Sequence, residues 1–469
     1  MALSAWLVAC SSVPQTLSPK HTQSVAVPTQ WVAAQADVKA TDLVQWWTRF
    51  SDPQIPALIT QSLKANTSVQ SAQAALRQAR ALADVQRAGL GPTVGASASA
   101  QRSQSGSGGP GNRFQLGFDA SWEPDIFGGN RNAADASEAD VQASAASLAQ
   151  VQVSLAAEVA ASYIHLRALQ TRLDIANNSL RTQQETLQIT RWRAQAGLAS
   201  SLDVEQAVSA TEQTRAQLPS LQASAAQAKN ALAVLTGQAP GTLDASLSAQ
   251  AAIPASPPDL VLAFPADTLR QRPDVRAAER GISAALARVS AADAARYPSF
   301  NLGGSLGLSA LTLGTLTDGA SLLKSLLASV SIPLFDGGAR QAQVRAQEAA
   351  LEKARAAYQA AVLTALQDVE DALVALKGDR ERLERLQAAG QAAANAEWLA
   401  RQRYASGLID FATVLTTQRT LLSLQDSVAS AQAALSTDHV QLYKALGGGW
   451  QPDATAMPAL DPASAAASR

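Results

Sequence analysis

Trp122-Glu-Pro124-Asp-Ile-Phe127-Gly128-Gly129-Asn-Arg131 returns farther along the chain as Ser331-Ile-Pro333-Leu-Phe335-Asp-Gly337-Gly338-Ala-Arg340. Pro, Gly-Gly and Arg keep an offset of 209 (333 − 124, 337 − 128, 340 − 131). Downstream, Arg193-Ala-Gln-Ala-Gly197-Leu198 returns as Arg403-Tyr-Ala-Ser-Gly407-Leu408 at an offset of 210. Upstream, Val69 and Pro92 match Val275 and Pro298 at 206. A repeat of this length is a duplicated fold, not a solenoid unit of roughly 20–50 residues.

Outward from the quoted stretch, each copy carries the same signals. Val94, Ala96, Ala98 and Ala100 share one face of an alternating run, with Thr93, Gly95, Ser97, Ser99 and Gln101 on the other. After a Gly/Ser turn, Phe114, Leu116, Phe118, Ala120 and Trp122 oppose Gln115, Gly117, Asp119, Ser121 and Glu123. In the second copy Phe300, Leu302, Leu306 and Leu308 oppose Asn301, Gly303, Ser305 and Ser309, and Leu326, Ala328, Val330, Ile332 and Leu334 read as a fourth strand. Period-two alternation marks a strand with one oily and one wet surface. A soluble sandwich shows it too, but about ten residues is also what a tilted strand needs to cross a bilayer.

Each hairpin is preceded by a helical pattern, in the first copy Leu58, Ile59, Leu63, Val69, Ala72 and Leu76, which stops at Gly89-Leu-Gly91-Pro92. Each hairpin is followed by a very long helical stretch. No proline lies between Gly129 and Gly197 or between Gly338 and Gly407, and only Gly378 and Gly390 weaken the second stretch. Each would measure roughly 100 Å as one continuous helix. Leu166, Leu173, Leu180 and Leu187, and Val362, Val369, Leu376 and Leu383, keep the seven-residue spacing of coiled-coil packing. The chain then turns and returns through helical patterns ending near Leu235-Thr-Gly237 and Leu446-Gly447-Gly448.

The expected organisation is a signal peptide at 1–9, a lipid-anchored arm at 10–52, a first repeat at 53–240 with its hairpin at about 93–124, and a linker at 241–267. A second repeat follows at 268–450 with its hairpin at about 299–334, then a disordered tail at 451–469. Four strands of transmembrane length cannot close a barrel alone, since the smallest single-chain barrels use about eight. Open strand edges in lipid leave backbone groups unpaired at several kcal/mol each. Strands in a membrane would therefore oblige this chain to oligomerise.

A net charge of −1 gives no electrostatic case for nucleic acid. Three histidines and one cysteine leave no basis for a metal cluster or disulfide framework, and no cofactor is expected. No stretch approaches the 18 or so consecutive apolar residues of a membrane-spanning helix. The one cysteine closes Leu7-Val8-Ala9-Cys10, which resembles the lipobox of bacterial lipoproteins and makes Cys10 the expected lipidation site. An ordinary secretory signal, or a chance cysteine, is the rival. The basic opening of a signal peptide is absent, which points to a start codon farther upstream.

The chain resembles the TolC/OprM-type outer-membrane efflux ducts, in their NodT-like lipoprotein branch. Trp46-Trp47-Thr-Arg-Phe50-Ser-Asp52-Pro53 is similar to that branch's N-terminal signature, and Phe264-Pro-Ala-Asp-Thr-Leu-Arg-Gln-Arg272-Pro273-Asp274-Val275 to its mid-chain signature. Ile332-Pro333-Leu-Phe335-Asp336-Gly337-Gly338 resembles its exit from the fourth strand. The resemblance implies a mainly α protein with transmembrane β: a homotrimer closing a twelve-stranded β-barrel in the outer membrane of a Gram-negative bacterium, continued by a twelve-helix α-barrel across the periplasm. It further implies docking to a periplasmic adaptor (membrane fusion) protein and an inner-membrane pump, with passive export of small molecules, multidrug efflux included, and no enzymatic step. The exit duct of a one-step (type I) protein secretion system is the alternative; the lipobox and the Trp-Trp signature favour efflux.

The resemblance assigns adaptor docking at the periplasmic tip to the two helix–helix turns, at Gly197, Leu198, Ser201 and Asp203 and at Gly407, Leu408 and Asp410. Plain helix chemistry competes with it: Gly197 and Gly407 as C′ glycines, Ser201 and Asp410 as N-caps. Asp410 and Arg419 are gate candidates, since a trimer repeats each three times about a narrow axis. Thr416 stands where relatives can carry an Asp, which weighs against a carboxylate gate. Trp122 suits an interfacial aromatic belt or core packing. Trp46 and Trp47 read as packing, His165 as structural, and Glu370-Asp371 as a helix surface with no acid–base role.

Overall fold

In a computed structural model, residues 43–104, 106, 109–255 and 271–450 are described. The signal segment, Cys10, most of the arm, part of the linker and the tail lie outside them. The duplication is metrical. Helix α2 (Thr67–Ala88) and helix α5 (Pro273–Ala294) each have 22 residues. Helices α3 (Gly129–Gln195) and α6 (Ala339–Ala405) each have 67, and α4 (Ser201–Leu235) and α7 (Phe411–Ala445) each have 35. A short helix α1 (Gln54–Ala65) precedes α2.

Between them run strands β1 (Thr93–Ser103), β2 (Gly111–Trp122), β3 (Ser299–Ala310) and β4 (Leu322–Ser331). They form one sheet, ordered β1-β2-β3-β4 and antiparallel throughout. The fourth strand ends at Ser331, so Ile332 and Leu334 are not part of it. Pro333 has no N–H with which to extend the ladder. The sheet does not close: β1 and β4 keep free edges.

The long helices are each continuous. Gly378 and Gly390 sit inside α6 without breaking it, and α4 continues through Pro219. A left-handed glycine starts each long helix, Gly128 at φ 78° and Gly338 at φ 85°. These lie 210 apart, one more than the offset of the quoted motif. The caps explain the slip. Asp125 accepts the backbone N–H of Asn130 and Arg131, and Asp336 accepts those of Gly338 and Arg340. One aspartate precedes its glycines by three residues and the other by one, yet both place a carboxylate at a helix N-terminus.

Helix α3 packs against α1, α2, α4, α5 and α7, and α6 packs against α5 and α7. The main core joins both repeats midway along the bundle around Ile55, Ile59, Tyr163, Ile164, Leu166, Leu232, Val369 and Tyr443. A second, smaller core lies near the far ends of the long helices: Leu187, Ala210, Tyr404, Phe411 and Val414.

Two buried arginines tie loops to this frame. Arg167 donates to the Tyr163 hydroxyl, Gln170 and the Ala249 carbonyl. Arg272 donates to Asp274, Asp368 and the Ala445 carbonyl. Burial pulls the Arg272 guanidinium down, and its two aspartates more than offset that.

Candidate functional site

Three features carry functional meaning: the faces of the sheet, the two helix-hairpin tips, and the arm that closes the bundle.

The register puts even-numbered strand residues on one face and odd-numbered ones on the other. One row reads Ala96, Phe118, Leu306, Lys324; the next reads Gly95, Asp119, Ser305, Ser325. The even face is the oily one, with Phe118, Leu306, Leu326 and Val330 all exposed. The odd face carries Ser97, Gln115, Asp119, Asn301 and Ser305, with Ser97 donating to Asp119 and Ser305 bonded to Ser325. Leu323 and Leu327 break its polarity; each lies opposite a glycine, Gly307 and Gly303. An exposed apolar face on an open sheet is a surface built for lipid or for a partner.

At the helical end of that face, Trp122 is 39% exposed and its indole N–H donates to the Leu90 carbonyl at 3.0 Å. Phe127 stacks on Tyr297 (4.9 Å) beside Phe300. Aromatic rings with a polar tie, where apolar strands meet helices, suit a membrane interface.

At the far end of α3 the chain reverses through a Schellman turn: the Leu198 N–H donates to the Arg193 carbonyl, with Gly197 at φ 73°. The α6–α7 turn repeats it, with Leu408 donating to Arg403 and Gly407 at φ 75°. The cap of α4 is Ser200, not Ser201. Ser200 and Asp203 form a reciprocal capping box, and Ser201 is the first helical residue. Two adjacent serines offer the same chemistry, and only the extended backbone of Ser200 (ψ 158°) selects it.

Asp410 caps α7 as expected. Its carboxylate accepts the Thr413 hydroxyl and, at 2.9 Å, the Thr413 N–H, which in that order hold it below the ordinary carboxylate pKa. Leu198, Leu202 and Leu408 stand out at 69%, 64% and 73% exposure.

Asp410 and Arg419 are not brought together, for nine residues of helix part them by about 13 Å. Arg419 lines a groove of about 490 Å³ between α3, α4 and α7, near the Arg172–Asp426 ion pair (2.6 Å). Thr416 donates back to the Ala412 carbonyl, so this part of α7 presents hydroxyls rather than carboxylates.

Sequence reasoning missed the clamp between the tips. Arg193 donates to the Tyr404 carbonyl at 2.6 Å and lies 4.7 Å from the Tyr404 ring centre. The Tyr404 hydroxyl meets Thr190, and Gln418 donates to Thr186. Only Arg193, one residue of a repeated Arg-x-x-x-Gly-Leu turn, hinted at it.

Trp46 is fully buried, stacked on Tyr443 (5.2 Å) and edge-on to Trp47 and Phe50. Asp52 accepts the Tyr163 hydroxyl at 2.7 Å. The Trp-Trp signature is thus a plug that seats the arm on α3 and α7. His165 is exposed on α3, and Asp371 pairs with Gln367 on the surface of α6. Among the described residues no three His, Cys, Asp or Glu side chains gather as a metal site.

The sequence model of the outer membrane efflux proteins matches residues 58–238 and again 264–448, one match per repeat. The chain is 34% identical to the pyoverdine export outer membrane protein OpmQ of Pseudomonas putida, over 97% of each chain. It is 31% identical to the outer membrane protein OprJ of Pseudomonas aeruginosa, over 96% of each. Among solved structures, the outer-membrane channel OprN superposes with a TM-score of 0.85 at 36% identity, covering 92% of this chain and 99% of that one. The open state of the Neisseria gonorrhoeae MtrE outer membrane channel gives 0.81 at 28% identity, covering 91% and 96%.

Proposed function

We propose that this chain, which belongs to the outer membrane efflux protein family, closes as a homotrimer around one continuous lumen. It is the outer-membrane exit duct of a tripartite efflux pump, working with a periplasmic adaptor and an inner-membrane pump. The observation that carries the trimer is the sheet: four strands with two free edges and an exposed oily face. Three such sheets joined β4 to β1 make twelve strands and leave no edge in lipid. The even face then meets the bilayer and the odd face lines water. Helices α3 and α6, each roughly 100 Å long, continue the wall; α2 and α5 stand beside them near the sheet and α4 and α7 towards the tips, so three protomers make a twelve-helix tube.

The duct performs no chemistry, and solutes pass under the pump's energy. The two tips serve as adaptor docks, with Gly197, Leu198, Ser201, Asp203, Gly407, Leu408 and Asp410 at their apex. Exposed leucines on rigid capped turns supply the apolar knobs. Arg419 and Asp410, each repeated three times, are the gate candidates. Asp410 is already committed to its cap, so Arg419 is the stronger of the two. Cys10, outside the described residues, is the proposed acyl anchor.

The test is accumulation of dyes, antibiotics and metal ions in a deletion strain complemented with wild type, Cys10→Ser or Gly407→Trp. Raised accumulation rescued by wild type and not by Gly407→Trp supports efflux through a docked tip. Unchanged accumulation with an exported protein trapped inside the cell would instead make the duct part of a one-step secretion system.

A further inference from the structure

Four charged residues lie on the strands, and the register sorts them by face. Arg113 and Asp119 are odd and share the polar face. Arg102 and Lys324 are even and stand on the oily face. Both charges on the lipid side are therefore cations. Both sit at the hairpin end of the sheet, away from the helices: Arg102 is the penultimate residue of β1 and Lys324 the third of β4. No carboxylate among the described residues pairs with either. At the opposite, helical end the same face holds Val94, Trp122, Phe300 and Val330, with no charge.

A cation on a lipid-facing strand costs about 2–4 kcal/mol at the bilayer midplane and falls to about 0–1 near the interface. Lys324 lies two residues from the start of its strand, about 7 Å along it, and less in depth once the strand tilts. An extended lysine stem spans that distance, so its ammonium reaches headgroup level. The two residues also sit on the sheet's two edge strands. Closure of the barrel sets β4 of one protomer beside β1 of the next and brings both cations to each subunit seam at comparable depth.

Resting on the barrel reading above, we propose that Arg102 and Lys324 form, across each subunit seam, a binding site for the phosphate groups of a phosphorylated glycolipid in the outer leaflet. Phe114 and Leu322, exposed or half-exposed on the same face, would lie along its acyl chains. The Arg102 guanidinium offers a fork of donors matched to phosphate oxygens, and Lys324 adds a mobile point charge. The site exists only in the assembled trimer, since each copy supplies half of it.

The full chain, purified from outer membranes in mild detergent, is titrated by native mass spectrometry with lipid A and with the same glycolipid stripped of its phosphates. Wild type is expected to prefer the phosphorylated lipid. Arg102→Gln or Lys324→Gln weakens binding about 5-fold, and the pair together roughly 30-fold. Arg102→Lys and Lys324→Arg retain most of it. Equal binding by wild type and the double variant, or no preference for phosphate, overturns the site. So does full displacement by inorganic phosphate, which would make the ligand a free anion. The same spectra report the trimer mass. A wild-type chain that is trimeric but indifferent to phosphate sinks this site alone; a chain that is not trimeric sinks the barrel.

Discussion

Gly197 and Gly237 share a left-handed backbone, φ 73° and 70°, but not an environment. A β-carbon at Gly197 meets nothing within 4 Å, whereas one at Gly237 would lie 2.5 Å from the Ala65 carbonyl oxygen and 2.9 Å from the Ala65 β-carbon. Gly197→Ala should therefore cost only the left-handed strain, about 1–2 kcal/mol, and leave assembly intact. Gly237→Ala adds a clash with backbone that cannot rotate away. It should lose a further 1–3 kcal/mol or so, read as a lower melting temperature of the purified protein by circular dichroism. Both glycines were visible in the sequence as helix stops, because a glycine after a periodic run marks a C′ position. Their different costs were not, since Ala65 approaches Gly237 only through the packing of α1 beside the end of α4.

At the scale of elements, the long helices are bound together by few but specific polar ties. Arg193 crosses from α3 to the last turn of α6, and a charged hydrogen bond of this kind contributes about 1.5–3 kcal/mol. Arg193→Ala should loosen the tips and raise the open fraction of single channels in planar bilayers; Tyr404→Phe, which loses only the Thr190 contact, should do so weakly. Farther up, burial first and then Asp379 push Asp438 of α7 up to about 6, while burial and then Arg380 push its neighbour His439 down to about 4. The signs oppose. A carboxyl held protonated by the fold adds stability below its ordinary 3.8 that is lost as pH rises through about 6. A histidine held neutral adds stability above its ordinary 6.5 that is lost as pH falls towards about 4. Wild type should thus be nearly flat between pH 4 and 6.5. Asp438→Asn should become less stable as pH drops across that window and His439→Gln less stable as it rises, by about 1–2 kcal/mol in thermal melts. The elements themselves were legible, because strict parity fixes a strand's faces and a seven-residue spacing fixes a helix seam. Leu166 and Val369 are buried as that spacing requires. The ties were not: Arg193 and Tyr404 lie 211 residues apart, and no periodicity links them. The one-residue slip at the caps was hidden for a related reason. Asp125 and Asp336 do the same job from different places in their motifs, and a repeat aligned on its glycines misplaces them.

For the whole molecule, the faces of the sheet decide which way the barrel is turned, and two neighbouring residues of β4 can test it. Leu326 is even and 86% exposed; Ser325 is odd and bonded to Ser305. Both sit mid-strand, so they share a depth and differ only in face. If the even face meets lipid, Leu326→Arg places a guanidinium near the bilayer midplane at about 2–4 kcal/mol per protomer. Three copies multiply that to roughly 6–12 kcal/mol, comparable with the whole stability of an ordinary domain. The trimer band should vanish from outer-membrane fractions on unboiled gels. Ser325→Arg projects into water instead. Its trimer should form in wild-type amounts, lose only the Ser305 bond, and conduct less current for cations because three new positive charges ring the lumen. A reversed result, with Ser325→Arg lost and Leu326→Arg assembled, would turn the sheet inside out and remove the basis for a water-filled odd face. Loss of both would place each face against protein, as in a sandwich. The oligomer follows from the same logic: an oily face and two free edges on one sheet are stable in a membrane only when copies of the chain complete them.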